Sequence, residues 1–269
     1  DLIRYETLEY LKNNYKGLRV AQWFLDPLTE NGPDFEKNKA RILDKIELTD
    51  ANFVTTSPDV LNFLPKNKTS LFMPNPSDIS FEVLNNYENN QCSMDVFFAL
   101  SHGVHRGILK KGKYDERADF VNKLVEKTPN VKFDLYGINN IQPIWADSFL
   151  KSIANAKMGV NLSRGSPIKY YSSDRITQLI GNGLLTFIDY QTHYDNFFDK
   201  NEVIFYKNLS HLSELIQKYA KDDFLRKKIA KRGKAKYMKY FNSTVVADYI
   251  INKTFSLPYK KNKYLWESK

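Results

Sequence analysis

Hydrophobic and polar positions along the chain alternate between two periods. Residues 2 to 15 carry a helical pattern, and Leu18 to Leu25 reads as a strand stopped by Asp26-Pro27. From Asp34 to Glu47, Phe35, Ala40, Ile42, Leu43 and Ile46 fall near helical spacing, followed by a short strand, Asn52 to Thr56, and a third at Leu71-Phe72-Met73. Pro74-Asn75-Pro76-Ser77-Asp78 is the strongest cluster of chain breakers, and Asn85 to Gln91 is polar. These features predict a boundary between about residues 74 and 93. Beyond it strands at Asp95–Leu100, Val131–Tyr136, Met158–Leu162, Leu184–Ile188 and Glu202–Tyr206 alternate with helices near Tyr114–Glu126, Ile144–Asn155 and from Asp174. Such alternation requires crossover helices and a parallel sheet covered on both faces. The last third is helical, at Leu209–Tyr219, Asp222–Tyr240 and Thr244–Thr254, and ends in a basic aromatic tail. The expected organisation is a partial α/β unit with linker over 1–90, a complete parallel-sheet domain over 91–245, and a helix with tail over 246–269.

Composition narrows the classes. The 269 residues, 42% hydrophobic and 26% charged, are those of a globular chain, and no apolar run reaches the roughly 18 residues of a membrane-spanning helix. The single Cys92 excludes an internal disulfide, and four His with one Cys give no zinc-ligand pattern, so disulfide scaffolds and structural zinc modules drop out, and no cofactor is expected. This fits a reducing cytoplasm. The chain starts at Asp1 rather than Met, with no signal peptide, so a fragment or processed product is expected. A net charge of +9 favours anionic partners, although Lys, Asn, Ile, Tyr and Phe are abundant together, as a base-composition bias would also produce.

In an open parallel sheet, loops at the strands' carboxyl ends converge on a crevice where helix N-termini present free N–H groups to anions. After the first strand of the larger domain, Gly103, His105 and Arg106 combine close backbone approach with phosphate donors; an ordinary basic turn would have the same sequence. Tyr136-Gly137 end the next strand. The loop from Ser163 to Arg175 is the densest polar constellation, with Arg164, Lys169, Ser172, Ser173, Asp174 and Arg175. Ser172, Ser173 and Asp174 are capping types, Ile176, Leu179 and Ile180 supply a buried stripe, and Gly181 or Gly183 ends the helix. A helix dipole of about half a charge at that place suits a diphosphate.

The stretch Ser173 to Phe187, then Phe197-Phe198 and Glu202 to Tyr206, resembles the C-terminal half of a two-domain GT-B-type group 1 glycosyltransferase, most closely the CgeB-like spore-maturation proteins. The similarity runs from Asp95-Val96-Phe97-Phe98-Ala99, through Arg117, to about residue 245. It implies a nucleotide-sugar donor in a Rossmann-like C-terminal domain, an acceptor (glycan, lipid-linked sugar or protein) on a truncated N-terminal domain, and retaining, metal-independent transfer in surface polysaccharide or glycan synthesis. The family's glutamate pair, seven residues between, falls on Tyr170 and Gln178, neither of them acidic. The donor-side expectation is Arg106, Lys169, Ser172 and Ser173 on the diphosphate, with Arg164 and Arg175 in reserve, Arg175 alternatively pairing with Asp174 or another carboxylate. Tyr136 and Gly137 would lie near the base, and Gln178 near the ribose. Only late strands of an N-terminal domain precede Pro74, so a base on the acceptor side is expected outside this chain.

Two rivals remain. A non-catalytic Rossmann-like module could use the charge to bind nucleic acid or lipid, yet patterned nucleic-acid motifs are absent and no nucleic-acid partner is expected. A nucleotide-sugar isomerase would need an acid/base pair that the sequence does not display. The basic helix Asp222–Tyr240 and tail, with Tyr237, Tyr240, Phe241, Tyr264 and Trp266, are the expected place of any peripheral contact with the inner membrane face; a solvated helix face is the simpler account of them.

Overall fold

The structure is a computed structural model that describes residues 3–30, 32, 34–101, 104–105, 108–109, 115–260 and 262–268, with 104, 105, 108, 109 and 268 described as backbone only. In chain order the first elements are α1 (Tyr5–Asn14), β1 (Ala21–Phe24), α2 (Phe35–Leu43), β2 (Ala51–Val54) and β3 (Ser70–Phe72). A linker leads to β4 (Met94–Ala99), β5 (Val104–His105), β6 (Ile108–Leu109), α3 (Glu116–Lys127), β7 (Phe133–Tyr136), α4 (Ala146–Ala154) and β8 (Ala156–Asn161). Then follow α5 (Arg175–Gly181), β9 (Leu185–Asp189), β10 (Ile204–Tyr206), α6 (Leu209–Lys221), α7 (Asp223–Tyr240) and α8 (Ser243–Thr254).

Two parallel sheets result, one of three strands ordered β1-β2-β3 and one of five ordered β10-β9-β8-β4-β7. The α/β architecture is the one read from the alternation. Continuous apolar runs explain the larger sheet: Val96, Phe97 and Phe98 in β4 and Met158 and Val160 in β8 are at most 2% exposed, so both faces are covered. Helices α3 and α6 pack together on one face, and the right-handed crossovers put α4 and α5 on the other. The chain leaves β4 toward β7 and returns past it to β8, so strand order reverses between β4 and β8. Side-chain caps from Asp115, Asn208, Asp222 and Asn242 start α3, α6, α7 and α8.

The two sheets share one apolar cluster. Phe53 of β2 and Phe72 of β3 join Tyr170, Phe197, Tyr237, Phe241, Tyr249, Tyr264 and Trp266 in it. Phe53 meets Tyr249 at 5.7 Å between ring centroids, and Phe72 stacks on Phe197 at 5.7 Å. This corrects one expectation: Tyr237, Phe241, Tyr264 and Trp266, assigned to a membrane-facing surface, are no more than 4% exposed and belong to the interior. Among the described residues, no helix is long and apolar enough to cross a membrane.

Candidate functional site

A cleft of about 770 Å³ opens at the reversal point, where crevices in parallel sheets form because adjacent crossovers depart to opposite faces. Its floor is Ala99-Leu100-Ser101 at the carboxyl end of β4, one wall is the first turns of α5, and the facing wall is Ile144 to Leu150 at the start of α4. A smaller cleft of about 310 Å³ lies between the sheets, lined by Asp26, Asp34, Lys37, Arg41 and Arg164. The two communicate through Ser101, Arg117 and Ser173, which line both.

Two guanidinium groups stand at that junction. Arg117, in the first turn of α3, is held bidentately by Asp115 at 2.9 and 2.7 Å. Arg175 opens α5 and donates to the carbonyls of Leu162 at 2.6 Å and Ala99 at 3.0 Å and to Ser173 Oγ at 3.1 Å, with Phe98 beneath it at 4.9 Å from the ring centroid. These hydrogen-bond acceptors are neutral. Burial, aided by the nearby charge of Arg117, brings the Arg175 guanidinium down to about 10. Partial desolvation of its carboxyl pushes the Asp174 pKa up, partly offset by Arg175.

Of the residues singled out from sequence, Ser173, Asp174, Arg175 and Gln178 come together on the larger cleft. Asp174 precedes α5 as anticipated, but with helical backbone angles and no capping bond from its side chain. Arg175 bonds carbonyls rather than pairing with Asp174. Arg164 faces the smaller cleft and pairs with Asp34.

Three residues lie elsewhere. Ser172 is fully buried, its hydroxyl 3.2 Å from Asn161 Oδ1, because the loop turns inward to pack on the linker, where Asn75 donates to its carbonyl at 2.8 Å. Lys169 lines neither cleft; its ammonium binds Asp59 at 2.5 Å, and that carboxylate pushes its pKa up. Lys169 and Ser173 therefore do not face one hollow. Tyr136 points its hydroxyl at Ser152 Oγ, 3.0 Å away, rather than into the cleft.

Gly137 acts behind the floor: its φ is +76°, and an added Cβ would stand 1.9 Å from the Leu100 carbonyl oxygen. Its glycine is demanded by a neighbouring backbone. Gly103 and Arg106 lie outside the described residues; His105 is in β5, its side chain likewise outside.

Sequence reasoning missed Glu82, Phe81 and Val83, which reach the cleft from the linker, and Trp145 and Phe149 on the apolar wall. Only the helical spacing of Ile144, Phe149 and Ile153 hinted at the last group. Arg117 was visible in the resemblance but had no role there.

Residues 116–252 match the family described as glycosyl transferase-like. Among solved structures the chain is similar to TarM of S. aureus at 13% identity and TM-score 0.63, covering 91% of this chain and 52% of TarM. It is also similar to HepE of Anabaena, solved with UDP, at 12% identity and TM-score 0.61, covering 89% and 72% of the respective chains. Sucrose-phosphate synthase from Thermosynechococcus elongatus aligns at 10% identity and TM-score 0.61, covering 95% and 73%. The chain thus spans about half the length of TarM, and at these identities the likeness is one of fold. A search of curated proteins gave no match.

Proposed function

The chain belongs to the glycosyl transferase-like family, and from that membership we propose that it transfers a sugar from a nucleoside-diphosphate donor seated in the cleft between β4 and β8. The observation that carries this reading is Arg175: a half-buried cation whose hydrogen bonds, among the described residues, go only to neutral acceptors, beside the second guanidinium of Arg117, leaves positive charge for an incoming anion. In the transfer, the sugar's C1–O bond to the diphosphate breaks and a C1–O bond to the acceptor forms. The acceptor hydroxyl gives up its proton to solvent water, and the diphosphate departs with the electron pair of the broken bond and the additional negative charge. Cationic groups fixed in advance stabilise that charge more in the transition state than in the ground state.

The proposed base is uracil, because HepE and an alpha-glucosyltransferase of the same fold are solved with UDP-glucose. The smaller cleft, continuous with the donor cleft through Ser173, is the approach for the acceptor hydroxyl. Retention, independence from metal and a CgeB-like role in glycan assembly enter this reading from the sequence resemblance alone.

The test is a thermal-shift series with UDP-, GDP-, ADP- and CDP-sugars. A ligand at about 100 times its Kd adds roughly 2.7 kcal/mol, a rise of about 5–10 °C for a chain of this size. The largest rise is expected with a UDP-sugar, and Ser173→Ala should weaken it about three- to tenfold by removing a hydroxyl beside Arg175. No rise with any of the four at millimolar concentration refutes the reading.

A further inference from the structure

One edge of the donor cleft comes from the linker, and it is firmly fastened. Asn182, just after α5, accepts from the Leu84 N–H through its side chain and from the Asn86 N–H through its carbonyl, both at 3.1 Å. The Lys234 ammonium of α7 reaches the carbonyls of Glu82 and Leu84. Between these ties Phe81 and Val83 are 75% and 51% exposed, whereas Glu82 turns inward and is only 8% exposed. Its stem lies across Gly181, where a Cβ would come within 2.4 Å of Glu82 Cγ.

Among the described residues the cleft has three carboxylates, Glu82, Asp147 and Asp174, and of these residues only Glu82 is buried. One of its oxygens accepts the Asp78 N–H at 2.6 Å, and among the described residues no cationic side chain is hydrogen-bonded to the carboxylate. Burial and the charge of Asp78 push its pKa up, opposed by the Asp78 N–H and the Thr177 hydroxyl. A carboxylate has about four acceptor positions, so capacity remains on the cleft side.

Position along α5 indicates what should meet it. A diphosphate at Ser173 to Arg175 leaves the next part of the donor about one helical turn further on, roughly 5 Å, level with Gln178 and with Thr177, whose hydroxyl meets Glu82. In a nucleoside diphosphate that part is the ribose, a vicinal diol of two donors, and beyond it the apolar wall of Ile144, Trp145 and Phe149 suits the base. We propose that Glu82, delivered by the linker rather than by α5, accepts the hydrogen bonds of the donor's ribose hydroxyls and so determines specificity for a ribonucleotide, with Gln178 as a neutral second contact. The inference rests on the donor reading above.

Calorimetric titration of the full chain with UDP and with 2′,3′-dideoxy-UDP tests it. Hydrogen bonds to a charged acceptor make the wild type prefer UDP by about 10- to 100-fold. Glu82→Gln should bring that preference to about threefold or less, with dideoxy affinity unchanged, whereas Gln178→Ala should keep at least about tenfold. Equal weakening of both ligands in Glu82→Gln, or loss of the whole preference in Gln178→Ala, overturns the assignment. Should Glu82→Gln not fold, the wild-type preference and Gln178→Ala still decide. A wild type that binds UDP but is indifferent to the diol overturns this inference alone; one that binds no UDP overturns the donor reading as well.

Discussion

Gly137→Ala is the sharpest test of how the cleft floor is built. A Cβ at residue 137 would lie 1.9 Å from the Leu100 carbonyl oxygen, where real Cβ contacts stay above 3.0 Å, so the backbones must part by about 1.1 Å (3.0 − 1.9). Neither strand end is free to move. The Leu100 N–H binds the Tyr136 carbonyl at 2.9 Å, and the Gly137 N–H binds the Ile141 carbonyl at 3.1 Å. Holding φ at +76° with a side chain costs about 1–2 kcal/mol. Overpacking adds about 1–3 kcal/mol, so the expected total is about 2–5 kcal/mol. That is a large part of the roughly 5–15 kcal/mol that holds a domain folded. In urea, with a slope of about 2–3 kcal/mol per molar, the midpoint should fall by about 0.7–2.5 M at unchanged slope. Because Leu100 leads into Ser101, UDP affinity of the folded variant should fall too. A loss below about 1 kcal/mol, no more than the φ angle alone requires, refutes the close approach.

Two further outcomes follow from buried and tethered charges. Arg175→Lys keeps the charge but cannot reach the Leu162 and Ala99 carbonyls and Ser173 Oγ together, so a Tm drop of about 5–15 °C is expected, and an unchanged Tm rejects the bonding scheme. Asp78 is brought down to about 2 by hydrogen bonds from the Ser243 hydroxyl and from the N–H and hydroxyl of Ser80. Its folded pKa lies below the unfolded value near about 3.9, so its stabilisation is complete above that pH and lost as pH falls toward 2. Denaturation of Asp78→Asn against wild type should therefore show a gap at pH 7 that closes by about pH 2; a gap independent of pH contradicts it.

The sheet was legible because burial on both faces leaves largely apolar runs, as in Val96-Phe97-Phe98 and in Leu184 to Ile188, broken there by Thr186 alone. The stripe of Ile176, Leu179 and Ile180 was equally plain, and all three are at most 1% exposed. What stayed hidden depends on partners distant in sequence. Lys169 looks like a phosphate ligand until Asp59, 110 residues away, is brought to it. Ser172 has the composition of a cap but is drawn inward by Asn75, and Glu82 sits in a segment whose local pattern signals only a linker. The closing aromatic residues could not be assigned to surface or interior from periodicity, since the rings that cover them include Phe53, about two hundred positions earlier.

The aromatic cluster joining both sheets has a mechanical consequence. Opening the molecule like a book would prise Phe53 from Tyr249 and Phe72 from Phe197, exposing rings that each bury roughly 150–250 Å². Wide hinge travel is thereby penalised. The same contacts couple melting of the small sheet to that of the large one, so calorimetry of this polypeptide should record a single endotherm in place of two.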